Sequence, residues 1–159
     1  MYFCGFKKTG MKRINEYKKL FGVENNIELK TLKKSYRNLV KEWHPDKFQN
    51  GDPLQEEAEI NSRKIIDGYH FLVSIAPETI EANLPEYTET ITNSGIADYQ
   101  HKGLLLEITF LDGTIYEYFG VTKHVYIKMI NSNKLNRFAK RSIYPNYTYR
   151  KTKRSLENA

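Results

Sequence analysis

His44 and Asp46 flank Pro45, which sets an imidazole and a carboxylate on a stiff piece of backbone. Proline fixes its own φ and biases the residue before it towards an extended conformation, so both side chains project from a rigid loop. Such a pair can ligate a metal or move a proton, but two ligands make no zinc site and no nucleophile has a visible base. Enzyme readings of the pair have little support. No enzyme activity, metal or cofactor is expected.

A second concentration of chemistry lies near the C-terminus. Lys134, Arg137, Lys140, Arg141, Arg150, Lys151, Lys153 and Arg154 occur without an intervening acid, and Phe138, Tyr144, Tyr147 and Tyr149 are interleaved with them. Cations neutralise phosphates and aromatic rings stack on bases, so Lys134, Arg137, Lys140, Arg141, Arg150 and Lys151 are candidate nucleic-acid contacts with little sequence preference. The other reading is a solvated helix face and a frayed tail, with the aromatics in the core.

The elements that must position these groups differ between the halves of the chain. From Ile14 to about Ile75 apolar residues recur at helical spacing, and three helices are predicted at Ile14 to Phe21, Ile27 to Trp43 and Leu54 to Ser74. Gly22 can close the first in a left-handed conformation, and Asn25 or Asn26 can cap the second, with Glu28 in its first turn. In the second helix Leu29, Leu32, Tyr36, Leu39, Val40 and Trp43 form an apolar arc beside a cationic one of Lys30, Lys33, Lys34, Arg37 and Lys41. That cationic row either solvates an exposed face or meets an acidic partner. It runs directly into His44-Pro45-Asp46-Lys47, and Pro53 can open the next helix. Two long helices joined by so short a loop must lie antiparallel.

Pro77 and Pro85 then mark a linker over residues 77–88, with room for a helical turn from Glu78 to Asn83. Beyond it the period changes to two. Leu104 to Phe110 and Thr114 to Phe119 read as a hairpin about Asp112-Gly113. A two-residue turn would bury Glu117 among apolar side chains. A three-residue loop with Gly113 left-handed as a bulge instead puts Leu104, Leu106, Ile108, Phe110, Tyr116 and Tyr118 on one face and turns Glu107, Thr109 and Glu117 outward. The bulged register is expected. A helix from Thr122, its N-cap, to Asn131 covers the sheet, and Glu89 to Asn93 or Ile96 to Tyr99 adds a strand. His70, His101 and His124 read as surface or core histidines.

Composition agrees with a folded, cytoplasmic chain that binds acidic partners. The 159 residues are 40% hydrophobic and 28% charged, with net charge +6, which excludes disorder, collagen and pure coiled coil. One cysteine, Cys4, permits no internal disulfide. The start has no signal-peptide pattern, no apolar run approaches the roughly 20 residues that span a bilayer, and the aromatic Met1 to Phe6 stretch is given no role, packing on the helices being the plain reading.

The helical half resembles the J-domain family, the co-chaperones of DnaK-type heat-shock ATPases. The resemblance rests on Ile14-Asn15-Glu16-Tyr17-Lys18-Lys19-Leu20-Phe21-Gly22-Val23, on Leu32 through Lys47 with the His-Pro-Asp tripeptide, and on Gly68-Tyr69-His70-Phe71-Leu72. It implies that His44, Pro45 and Asp46 trigger ATP hydrolysis by a DnaK-type chaperone, and that Lys33, Tyr36, Arg37 and Lys47 dock on it. The sequence departs from the family pattern at Asn38, where a base is common, at Trp43, where Tyr is usual, and at Phe48, where Asn is usual. It also departs at Ser62 and Ile66 in the third helix; the tripeptide is intact. No Gly/Phe-rich segment or zinc-binding repeat accompanies it.

The second half resembles the KTSC domain, found at the C-terminus of some lysyl-tRNA synthetases and in short bacterial proteins. Ser94-Gly95-Ile96, Leu106 to Phe110, Asp112-Gly113, Tyr116-Glu117-Tyr118, Gly120-Val121 and Tyr147-Thr148-Tyr149 carry it. The expected organisation is α+β: a J-domain at 12–76, the linker at 77–88, a KTSC-like domain at 89–151 and a polar tail at 152–159. The second domain is expected to direct the co-chaperone to a client, with a ribonucleoprotein as one candidate; the alternative is an RNA- or ribonucleoprotein-binding protein that acts through the basic, aromatic C-terminal region, with the helical half only an accessory. Client and oligomeric state stay open.

Overall fold

A computed structural model of the chain describes residues 11–24, 26–48 and 51–152. These fall into two compact units, residues 14–79 and the chain from Ile80 on. The architecture is α+β, a helical unit followed by a four-stranded antiparallel sheet with its own helices. The Met1 to Phe6 start, the Asn25 cap and the tail beyond Thr152, with Lys153 and Arg154, lie outside the described residues.

The helical unit holds α1 (Met11–Phe21), α2 (Leu29–Trp43), a single 3-10 turn (Pro45–Lys47) and α3 (Gln55–Ile75). The expected spans agree to within one to three residues. Gly22 ends α1 at φ 66, as its left-handed role requires. Ile14, Phe21, Val23, Ile27, Leu32, Ala58, Ile65, Phe71, Leu72 and Ile75 are buried, so each helix turns its periodic apolar stripe inward. Tyr17 packs on Phe71 with ring centroids 5.3 Å apart, and Tyr36 of α2 stacks on Tyr69 of α3 at 4.2 Å.

The start of α2 differs from the expectation. Glu28, not an asparagine, occupies the N-cap position and gives no side-chain cap. Instead the Leu29 amide donates to Oε1 of Glu78 at 3.3 Å, across 49 residues of sequence. A carboxylate at a helix N-terminus satisfies an orphan amide and opposes the positive end of the macrodipole. Glu78→Ala is therefore expected to destabilise the helical unit by about 0.5–1 kcal/mol, read by urea denaturation followed through Trp43 fluorescence. An unchanged midpoint would show that this amide is satisfied as well by water.

The helical turn allowed from Glu78 to Asn83 is present as α4 (Pro77–Ala82), but the rest of the linker expectation is corrected, since α5 (Leu84–Asn93) is a helix. Pro85 lies in the first turn of α5, where its missing N–H costs nothing, and Tyr87 and Thr90 are buried on the inner side of that helix. Glu89 to Asn93 is accordingly helix, and the extra strand is β1 (Ile96–Lys102). It precedes β2 (Leu105–Phe110) and β3 (Ile115–Phe119), then α6 (Lys123–Ile130), α7 (Leu135–Ser142) and β4 (Thr148–Lys151). The sheet order is β1-β2-β3-β4. Neither α7 nor β4 was expected.

The hairpin has the bulged register. Leu106 opposes Tyr118 and Ile108 opposes Tyr116, while Gly113, at φ 90, donates to the Phe110 carbonyl. Oδ1 of Asp112 accepts from the Thr114 amide at 2.9 Å and from its hydroxyl at 2.6 Å, which fixes the turn. Partial burial works to raise the Asp112 carboxyl, but these bonds and that from Thr90 hold it below the usual carboxylate range. Leu104 is a correction: it forms the β1–β2 turn with Gly103 and is 40% exposed. Thr122 caps α6 as expected, accepting from the Val125 amide.

Leu106, Ile108, Phe110, Tyr116, Tyr118, Val121, Met129, Ala139, Ile143 and Tyr144 make the core against the sheet. Tyr87 enters it from α5, stacked on Tyr149 at 3.8 Å and hydrogen-bonded through its hydroxyl to that of Tyr118 at 3.0 Å. Burial pushes the Tyr87, Tyr116, Tyr118 and Tyr144 hydroxyls far above their ordinary value, so all stay neutral.

Candidate functional site

The strongest candidate lies at the C-terminal end of α2. Its apolar arc is inward or half-buried, and Lys30, Lys33, Lys34, Arg37 and Lys41 are exposed on the adjacent face. Among the described residues no carboxylate pairs with any of them. The cationic row is thus available to an acidic partner over most of the helix. Tyr36 is half-buried and stacks on Tyr69. Lys47, beyond the tripeptide, is exposed.

At His44 the backbone leaves the helix with φ −60 and ψ 129, the extended conformation that a following proline demands. Pro45 then opens the 3-10 turn, closed by Lys47 N–H donating to the His44 carbonyl at 3.0 Å and Phe48 N–H to the Pro45 carbonyl at 3.1 Å. Nδ1 of His44 accepts from the Asp46 amide at 3.2 Å, which leaves Nε2 of the neutral ring as the outward donor. The same Nδ1 lies 3.5 Å from Asp46 Oδ2. That contact is an ion pair only when the ring is protonated, and the amide bond accounts for the turn without it. The Asp46 side chain is 91% exposed and that of His44 48%.

A carboxylate and an imidazole held so far into solvent by a closed turn are accessible to another molecule. Among the described residues no third His, Cys, Asp or Glu gathers with them as a metal site would need. Sequence reasoning missed one local feature. Trp43 and Phe48, on either side of the tripeptide, face each other with ring centroids 6.1 Å apart and planes 19° from parallel.

Two family models match the chain, one described as the DnaJ domain over residues 16–76 and one as the KTSC domain over residues 92–147. The chain carries a J-domain followed by a KTSC domain. The J-domain is 40% identical over 60 residues to DnaJ homolog subfamily C member 3 of Homo sapiens, 38% of this chain and 11% of that protein. It is 38% identical over 58 residues to the chaperone protein DnaJ of Mesomycoplasma hyopneumoniae (strain 232), 36% of this chain and 16% of that one. The DnaJ of Thermotoga neapolitana is 35% identical over 57 residues, 36% of this chain and 15% of the relative. The chain thus spans less than a fifth of the length of these relatives. No solved structure matches it at a significant level.

In the KTSC domain the six candidate cations part company. Lys134, Arg137 and Arg141 are exposed and, with Ser132, Asn133 and Phe138, line an open cleft of about 460 Å³ on α7. Lys140 is exposed but its Nζ donates to the Thr92 carbonyl at the end of α5, at 3.3 Å. Lys151 is half-buried and ion-paired with Glu86 of α5. Arg150 is a correction: it is 8% exposed, and its guanidinium lies 3.4 Å from Oε2 of Glu117, itself 8% exposed. Glu117 does turn away from the apolar face, yet it is buried on the opposite one. The interleaved rings are corrected with Arg150. Tyr144 and Tyr149 belong to the core and its stacks, Phe138 and Tyr147 pack half-buried against it, and Phe138 alone of the four shares the cleft.

Proposed function

We propose that the chain is a co-chaperone: its J-domain docks on a DnaK-type chaperone through the cationic face of α2 and accelerates ATP hydrolysis there through His44, Pro45 and Asp46. The observation that carries this reading is the closed, solvent-projecting turn that ends a helix whose exposed cations have no carboxylate partner among the described residues. A row of cations speeds encounter with an acidic groove, and a rigid carboxylate can then pair with an arginine of the partner. The chain would stimulate hydrolysis in the chaperone without catalysing it, in the cytoplasm. No helix among the described residues is long and apolar enough to cross a membrane. Single-turnover ATP hydrolysis by a DnaK-type chaperone, with and without the full chain, tests the reading; an unaltered rate would refute it.

The KTSC domain would deliver the chaperone to a client, and the cleft of Lys134, Arg137 and Arg141 favours one that carries phosphates, such as RNA or a ribonucleoprotein. With three phosphates neutralised, the affinity for a single-stranded RNA is expected to fall with salt at a log–log slope of about −2. Fluorescence anisotropy with a labelled oligoribonucleotide measures it. Binding that is absent at low salt, or unaffected by Arg137→Ala with Arg141→Ala, would remove RNA from the account.

A further inference from the structure

Trp43, just before the His-Pro-Asp tripeptide, and Phe48, two residues after it, are both departures from the J-domain pattern. They meet. Trp43 is the last residue of α2 and Phe48 follows the 3-10 turn, so their near-parallel rings at 6.1 Å join the two ends of a four-residue loop. Both are half-buried, whereas His44, Pro45, Asp46 and Lys47 between them are exposed. Three hydrogen bonds hold that exposed loop from within: Asp46 N–H to His44 Nδ1, Lys47 N–H to the His44 carbonyl and Phe48 N–H to the Pro45 carbonyl. Solvent competes with every one of them. Aromatic pairs at this separation attract beyond the area they bury, and the contact is local enough that little chain entropy opposes it.

We propose that Trp43 and Phe48 form an aromatic clasp, a pair of positioning residues that hold the His44–Asp46 turn closed in the form the partner ATPase reads. The inference rests on the co-chaperone reading for its functional half, and on ring geometry alone for its structural half. Neither ring need touch the partner. The clasp acts by keeping the Asp46 carboxylate and the His44 ring at a fixed offset, so that the encounter does not have to order them.

The test uses the full chain and the variants Phe48→Ala and Phe48→Tyr. Trp43 is the sole tryptophan, so its fluorescence reports the clasp directly. Phe48→Ala is expected to red-shift the emission and to quicken amide exchange at Asp46 and Lys47 by roughly 2- to 12-fold, with exchange at Leu32 and Leu72 in the core unchanged. Stimulation of a DnaK-type ATPase should fall by a similar factor, and Phe48→Tyr, which keeps the ring, should restore both. Unchanged emission and exchange in Phe48→Ala would overturn the proposal. So would quickened exchange with undiminished stimulation, since the closed turn would then not be what the partner reads. If the wild-type chain stimulates no chaperone, the functional reading fails by itself, and exchange and emission still decide whether the clasp holds the turn.

Discussion

His44→Gln is expected to bring the ATP turnover of a DnaK-type chaperone back to its unstimulated rate, in a single-turnover assay where the wild-type chain accelerates it. Two separate losses combine in this one substitution. The flexible Gln amide no longer fixes a donor where the ring's Nε2 stood, nor an acceptor where Nδ1 takes the Asp46 amide at 3.2 Å and helps to close the turn. Removing one partner of a desolvated, charge-assisted contact costs about 2–5 kcal/mol at an interface, or roughly 30-fold to several thousand-fold in the complex that hydrolyses ATP. The fold should be indifferent. His44 is about half exposed and Asp46 almost wholly so, and surface substitutions of this kind shift stability by about 0.5 kcal/mol or less. A His44→Gln protein that melts with the wild type and still stimulates fully would remove the tripeptide from the mechanism.

This site was legible in the sequence because its parts are local. The 3.6-residue period placed the cations on α2 beside a buried arc, and Pro45 dictated the extended His44 and the sharp turn. The Trp43–Phe48 contact was present in the sequence only as two unusual residues, since their spacing alone does not show that the rings meet. The KTSC domain was half legible for the opposite reason. The hairpin register followed from Asp112-Gly113 and from keeping a carboxylate out of the apolar face. What Glu117 does on the other face depends on Arg150, 33 residues later. Thr148-Tyr149-Arg150-Lys151 is too short and polar to read as a strand, and it becomes one by pairing with β3. Tyr87 likewise sits two residues after Pro85 in what reads as a linker, and only its stack on Tyr149, 62 residues on, makes α5 part of the core.

Arg150 supplies the second large expected effect, and it separates a structural cation from a binding one. On β3, Glu117 stands directly between Glu107 of β2 and Arg150 of β4 in the sheet register. Like charges opposite one another oppose pairing of strands, and the arginine offsets that repulsion where water is scarce. The Arg150 and Glu117 side chains are only 10% and 11% exposed, so removing the guanidinium leaves a carboxylate with far less compensation in a dry setting. Arg150→Ala should destabilise the KTSC domain by about 3–5 kcal/mol. Because the chain holds two units, the readout must belong to one of them: near-UV circular dichroism of the buried tyrosines during urea denaturation, with Trp43 fluorescence as the J-domain control. The tyrosine transition should move to lower urea while the tryptophan transition stays. Glu117→Leu combined with Arg150→Leu should recover most of the loss, because replacing both members of a buried pair by apolar side chains is often neutral or stabilising. If Arg150→Ala instead leaves the tyrosine transition in place and weakens only binding to RNA, the arginine belongs with Arg137 and Arg141 as a surface contact, and its ion pair with Glu117 contributes little to the fold.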